Sequence, residues 1–122
     1  MAGPSVAGER FPNSLRLRRR REFLRVQERG RKITAGPLVA LALPRGDQPT
    51  RVGLTVSTKV GGAVVRSRIR RRLRELFRKR RGELPPGIDL VLIARASAAE
   101  SDYDALRRAF EGIARKLRDM FP

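Results

Sequence analysis

Residues 64–81, V-V-R-S-R-I-R-R-R-L-R-E-L-F-R-K-R-R, constrain this chain more than any other stretch. They hold ten basic residues and one acid, together with a regular apolar series: Val65, Ile69, Leu73, Leu76 and Phe77. At about 100° per residue those five side chains fall within about 120° of arc, as in a helix with one face packed on a core. A disordered basic tail needs no such stripe, and a helix buried all round could not hold the charge. The segment therefore predicts an amphipathic helix docked on a folded domain. Arg66, Arg70 and Arg74 recur at i, i+4 and i+8 along one border of the apolar face, and Ser67, Arg71 and Arg78 extend that row outward. Only Glu75 lies within the segment to neutralise it, so the mutual repulsion calls for a partner. A rigid row of guanidiniums matches a phosphate backbone, and the first turn behind Gly61-Gly62 offers free amides to an anion.

The remaining composition agrees. Lys and Arg number 29 against 12 Asp and Glu, a net charge of +17 that attracts a polyanion such as RNA, DNA or an anionic membrane. Arg greatly outnumbers Lys, which suits bidentate phosphate contacts. With 122 residues, 40% of them hydrophobic, the chain can build one modest core. It carries neither Cys nor His, which removes disulfides, zinc fingers, thiol nucleophiles and imidazole acid–base chemistry. No apolar run approaches the roughly 20 residues of a membrane span, and the N-terminus lacks a signal-peptide apolar core. A cytoplasmic protein is the expectation. Lys59 stands near Gly61-Gly62, but the G-x-x-x-x-G-K pattern of a nucleotide-binding loop is absent.

Residues 1–13 read as a flexible lead-in and 14–119 as one domain. A helix is predicted over about 19–29, with Gly30 placed to end it. Phe23 on that helix is a candidate for base stacking and equally a candidate for the core. Residues 38–43 and 51–57 predict two strands that would pair as a hairpin, with a third short strand near 31–34. Residues 88–94 are apolar on both faces and predict the central strand. Gly82 is placed to end the basic helix. Ser101 is the predicted cap of a last helix, with Asp104 at N3 and Leu106, Ala109, Phe110, Ile113 and Leu117 on its apolar face. The order α-β-β-β-α-β-α predicts an α/β (α+β) two-layer sandwich.

The string R-V-G-L-T-V-S-T-K-V-G-G-A-V-V-R-S-R-I-R-R-R-L-R-E, residues 51–75, resembles the signature of the bacterial ribonuclease P protein component. In that family a strand of the form R-x-G-L-x-V-S precedes K-x-G-x-A-V-x-R-N-R-x-K-R-x-x-R-E. The likeness continues from Leu17 to Gly30 and from Asp89 to Arg95, and it spans about residues 11–117. It implies a fold similar to a ribosomal small-subunit protein and to one domain of elongation factor G, with a left-handed crossover around the basic helix. It implies a single RNA-binding domain that pairs as a monomer, 1:1, with a large catalytic RNA. The complex removes the 5′ leader of precursor tRNA, and the RNA performs the Mg2+-dependent hydrolysis. By resemblance no protein residue is catalytic and none holds a metal. Lys59, Arg66, Ser67, Arg68, Arg70, Arg71 and Arg74 would contact the catalytic RNA. Phe23, Gln27, Val39 and Leu41 would line a cleft for the single-stranded leader, and Arg18, Arg19 and Arg78 would add basic contacts. The sequence departs from the family at Ser67 and Gly62, where Asn is usual, and at Gln27 and Leu41, where aromatics are common. Leader stacking would then lean on Phe23.

Three other classes compete. A structural RNA-binding protein, ribosomal for example, explains the charge and the element order but not the fixed signature. A membrane-active amphipathic protein explains the basic helix but not the strand at 88–94. A stand-alone nuclease needs a base or metal site, and the acids Asp47, Glu75, Asp89 and Glu100 are scattered along the chain.

Overall fold

The computed structural model describes residues 15–122, so the lead-in predicted at 1–13 lies outside the described residues. Helix α1 (Arg20–Arg29) is followed by strands β1 (Arg31–Ala35), β2 (Leu38–Pro44) and β3 (Arg51–Thr55), then helix α2 (Ala63–Arg80), strand β4 (Ile88–Ala94) and helix α3 (Tyr103–Met120). The predicted order is observed, including the short third strand. Helix α2 stops at Arg80, and Gly82 lies within a 3-10 turn, Arg81–Glu83.

One sheet in the order β1-β2-β4-β3 organises the molecule. Strands β1 and β2 form the hairpin, turning at Gly36, whose φ of 52° suits a residue without a side chain. The expected β2–β3 hairpin is not formed. Strand β4 inserts between those two, antiparallel to β2 and parallel to β3, with α2 as the crossover. The physical reason lies in β4 itself. Leu90 and Leu92 face one side and Val91 faces the other, all fully buried, so this strand needs a neighbour on each edge and cover on both faces.

Alternation along the strands divides the core. Ile33, Leu38, Ala40, Ala42, Val52, Leu90 and Leu92 meet Ile69, Leu73, Leu76 and Phe77 of α2 and Leu106, Phe110, Ile113 and Leu117 of α3 in one cluster. The stripe that defined the basic segment is thus the buried face of α2. On the opposite side of the sheet a smaller cluster of Leu17, Val26 and Val91 is flanked by Phe23, Leu41, Leu43 and Ile93. Helix α1 covers that face only in part.

Two local signals resolve differently from expectation. Asp102, not Ser101, caps α3: its carboxylate accepts the Ala105 N–H at 2.7 Å. Ser101 Oγ instead donates to the Ser97 carbonyl at 3.0 Å across the 3-10 turn Ala96–Glu100, so Asp104 moves forward into the first turn and pairs with Arg107 and Arg108. Gly30 does follow α1, but with φ −73° rather than a left-handed conformation. A Cβ there would stand 2.4 Å from the Val26 carbonyl oxygen and 3.2 Å from the backbone of Ala42. Close approach of helix to sheet, not a positive φ, favours glycine at this position.

Candidate nucleic-acid interface

The arginines of α2 leave the helix on both borders of its buried face. On the border next to β3, Arg66 Nε donates to the Gly61 carbonyl at 3.2 Å and Arg70 Nη2 to the Val56 carbonyl at 3.4 Å. On the other border, Arg68 Nη2 reaches the Ala99 carbonyl at 3.4 Å and Arg72 Nη1 the Ser101 carbonyl at 3.1 Å. Each carbonyl takes up only one or two N–H groups of a five-donor fork, so these guanidiniums are held in place without being neutralised. Ser67, Arg71 and Arg74 are exposed between the borders. Ser67, Arg68 and Arg71 share a shallow depression of about 380 Å³ with Ala63 and Val64, and Val64 is 81% exposed.

Charge compensation on α2 is wider than the lone Glu75. Glu75 pairs with Arg78 and Lys79, and Arg80 reaches Glu83 at 2.9 Å and Glu111 of α3 at 2.8 Å. The acids gather at the C-terminal end of the helix. Arg66, Arg70, Arg71 and Arg74 have no carboxylate partner among the described residues.

The arginine row and the predicted stacking aromatic converge. Leu17 N–H donates to the Val52 carbonyl at 3.0 Å, which lays residues 16–17 along the free edge of β3. Arg16 thereby joins Arg70, Arg74 and Phe23 around a groove of about 150 Å³ floored by Val52, Gly53 and Leu54. Burial, and then the like charges of Arg74 and Arg18, pull the Arg16 pKa below its ordinary value. An anion in the groove relieves that crowding. The Phe23 ring lies directly on Gly53: a Cβ there would be 2.5 Å from ring Cζ and 2.7 Å from Cε1. Phe23 is therefore partly core and partly wall, which joins the two readings of it from sequence. Sequence reasoning missed Arg16, Leu17 and Gly53. The glycine inside the strand pattern was the available signal, since such a residue marks close approach.

The other cleft residues lie farther along the same sheet face. Leu41 belongs with Phe23, Leu43 and Ile93 in the smaller cluster, and Val39 pairs in register with Ile93 on β4. Val39, Leu41 and Ile93 are half-buried, while Gln27 is exposed on α1. They form an apolar strip beside α1 that ends at the Phe23 groove. Lys59 is exposed in the loop before α2, and its backbone N–H contacts Ser57 Oγ at 3.3 Å. Arg18 and Arg19 are exposed at the start of α1.

An ionic clamp fixes α1 over the sheet. Arg51 on β3 donates to both carboxylate oxygens of Asp89 on β4 at 2.8 and 2.9 Å, and to Glu22 of α1 at 3.0 Å. Arg45 approaches Asp89 at 3.6 Å. Glu22 also accepts the backbone N–H groups of Arg18 and Arg19, the reciprocal half of a capping arrangement. Burial alone would raise the Glu22 pKa, but those two N–H groups and the Arg51 guanidinium outweigh it and hold the carboxyl below its usual range. The Asp89 hydrogen bonds raise the Arg51 pKa against the opposing effect of burial. Two of the chain's acids thus converge on one guanidinium. Among the described residues no group of three or more Asp or Glu is placed to hold a metal ion, and no helix is long and apolar enough to cross a membrane.

A family model described as Ribonuclease P matches residues 11–118. The ribonuclease P protein component of Gluconacetobacter diazotrophicus is 52% identical over 93 residues, covering 75% of this chain and 80% of that protein. The solved structure of the RNase P protein from Thermotoga maritima superposes with a TM-score of 0.76 at 31% identity, covering 83% of this chain and 96% of that one. The Staphylococcus aureus RNase P protein shares the fold, with a TM-score of 0.77 at 24% identity over 85% of this chain and 95% of that one.

Proposed function

The chain belongs to the ribonuclease P protein family, and from that premise we propose that it is the protein subunit of ribonuclease P, binding the catalytic RNA and the 5′ leader of precursor tRNA to assist endonucleolytic removal of the leader. The observation that carries this reading is the groove where Arg16, Arg70 and Arg74 meet Phe23. A row of phosphate-binding groups and a stacking surface for an unpaired base lie within one step of each other, as recognition of single-stranded RNA requires.

Residues 14–119 act as a single RNA-binding unit. Lys59, Arg66, Ser67, Arg68, Arg70, Arg71 and Arg74 take the catalytic RNA, with Arg18, Arg19 and Arg78 as flanking contacts. The leader runs along Val39, Leu41 and Gln27 to Phe23. Ser67 has a shorter reach than the family's Asn, so it hydrogen-bonds RNA through water or only on close approach. The chemistry belongs to the RNA: Mg2+ bound there supplies the metal-assisted hydrolysis, while this chain's residues orient the strand and screen phosphate repulsion. The complex is 1:1 and works in the cytoplasm.

Reconstitution tests the reading. The protein is mixed with a bacterial ribonuclease P RNA and a precursor tRNA at low Mg2+, where the RNA alone is slow. Accurate 5′ cleavage should rise sharply, and the protein alone should cut nothing. Unchanged cleavage with tight, salt-sensitive RNA binding would instead assign the protein to another ribonucleoprotein.

A further inference from the structure

Helix α1 carries a second guanidinium row that the reading above does not use. Arg21, Arg25 and Arg29 repeat at i, i+4 and i+8, about 6 Å apart along the axis. With Val26 pointing into the sheet, 100° per residue places Phe23 and Gln27 on one flank of α1 and these three arginines on the other. All three are exposed, and none has a carboxylate or carbonyl partner among the described residues. Glu22, which lines the same depression as Arg21 and Arg25, is taken up by Arg51 and by two backbone N–H groups. Glu28 stands at i+3 from Arg25 without pairing with it. Helix α3 shows the opposite treatment: Arg107 is matched by Asp104 and Glu111, and Arg108 by Asp104.

We propose that this flank of α1 is a second RNA-backbone surface, holding a phosphodiester strand separate from the one on α2. Arg21 and Arg25 border a depression of about 360 Å³ whose floor is the Arg51–Glu22–Asp89 clamp. The row therefore stands on a helix locked to the sheet rather than on a loose arm. Among the described residues its only exposed large apolar neighbour is Leu24, at 40%, too little to seat α1 in a lipid surface, whereas unneutralised arginines at regular spacing match a chain of phosphates. Two such rows on different faces let one small protein bridge two RNA segments. The surface requires only an RNA backbone, so it stands apart from the ribonuclease P reading.

The test titrates the full-length chain with fluorescent single-stranded RNA across a salt series. Changing Arg21→Gln, Arg25→Gln and Arg29→Gln together should reduce the slope of log K against log salt by about 2, at roughly 0.7 for each phosphate no longer neutralised. The corresponding Lys triple should keep most of the slope. Should the Gln triple lose helix by circular dichroism, Arg25→Gln alone, at the exposed middle of the row, should still reduce the slope by about 0.7. In a second arm, wild-type protein saturated with one RNA should recruit a second, differently labelled strand, and the Gln triple should not. An unchanged slope, failure of the wild type to hold two strands, or preferential binding to anionic vesicles overturns the proposal. Arg70→Ala with Arg74→Ala, tested alongside, reports on the α2 row independently.

Discussion

Arg66, Arg70 and Arg74 on α2 repeat at the same four-residue interval as Arg21, Arg25 and Arg29 on α1, yet the two helices are held quite differently. Four side chains of α2, Ile69, Leu73, Leu76 and Phe77, are buried in the main core, and several of its arginines are braced on carbonyls of neighbouring loops. Helix α1 is ten residues long and buries one side chain fully, Val26. Its position depends on the Phe23–Gly53 contact, the close approach at Gly30 and the clamp around Arg51. The same charge motif can thus be presented with its donors pre-positioned on neighbouring carbonyls, as on α2, or on a clamped helix whose arginine side chains no carbonyl braces, as on α1. Pre-positioned donors lose less entropy on binding. Unbraced arginine side chains beside an apolar strip suit a strand of variable sequence.

The largest expected effect tests the anchoring of α2. Ile69→Asp places an unpaired carboxylate in the main core, at a cost of several kcal/mol against a total stability of about 5–15 kcal/mol. The cooperative thermal transition followed by circular dichroism should vanish. Survival of the fold would show that α2 is no better anchored than α1.

Next comes the seat of α1. Gly53→Val puts a side chain where the Phe23 ring lies and should cost about 1–3 kcal/mol. Binding of a leader-bearing precursor should weaken to the level of a leaderless tRNA, while affinity for the catalytic RNA holds. Equal losses for both ligands would mean that the two helices serve one undivided surface.

Changing Arg70 and Arg74 to Ala together isolates the α2 row. Both lie off the apolar stripe, so the melting curve should be nearly unchanged. The salt slope of RNA binding should fall by about 1.4–1.8, two phosphate contacts at 0.7–0.9 each. Unfolding of this variant would place the pair in the core rather than on its border.

The smallest effect is a pH dependence confined to α1. The folded Glu22 pKa is depressed, so the stability linked to it is fully present above the ordinary value of 4.5 and is lost as pH falls through the lower folded value. Amide exchange in α1 should quicken over that window, and Glu22→Gln should abolish the step. Glu75 on α2 is also depressed, first by its hydrogen bond to Arg78, with burial opposing and the Arg78 and Lys79 charges assisting. Four buried side chains hold α2 regardless, so its amides should remain protected. Simultaneous loss of both helices would remove the distinction.

The amino-acid order by itself determined most elements and their faces. The 3.6-residue period of Val65, Ile69, Leu73, Leu76 and Phe77 and the unbroken apolar run at 88–94 report burial directly, because burial acts on each side chain where it stands. Residues 51–75 likewise announced the family, since a long motif of fixed spacing is a local property. Tertiary structure decided what local pattern cannot encode. Periodicity tells a strand which face is buried but not which neighbour it pairs with, so β4 came between β2 and β3 where a hairpin had been expected. Ser101 and Asp102 are both competent caps, and the choice fell to Asp102 because a 3-10 turn gave the serine hydroxyl another acceptor. The groove joins Arg16, Phe23, Arg70 and Arg74, residues up to 58 positions apart in the chain. Only the packing of residues 16–17 and of α1 and α2 around one edge of the sheet brings those cations to a single aromatic ring, because their approach is set by contacts that none of the four residues makes alone.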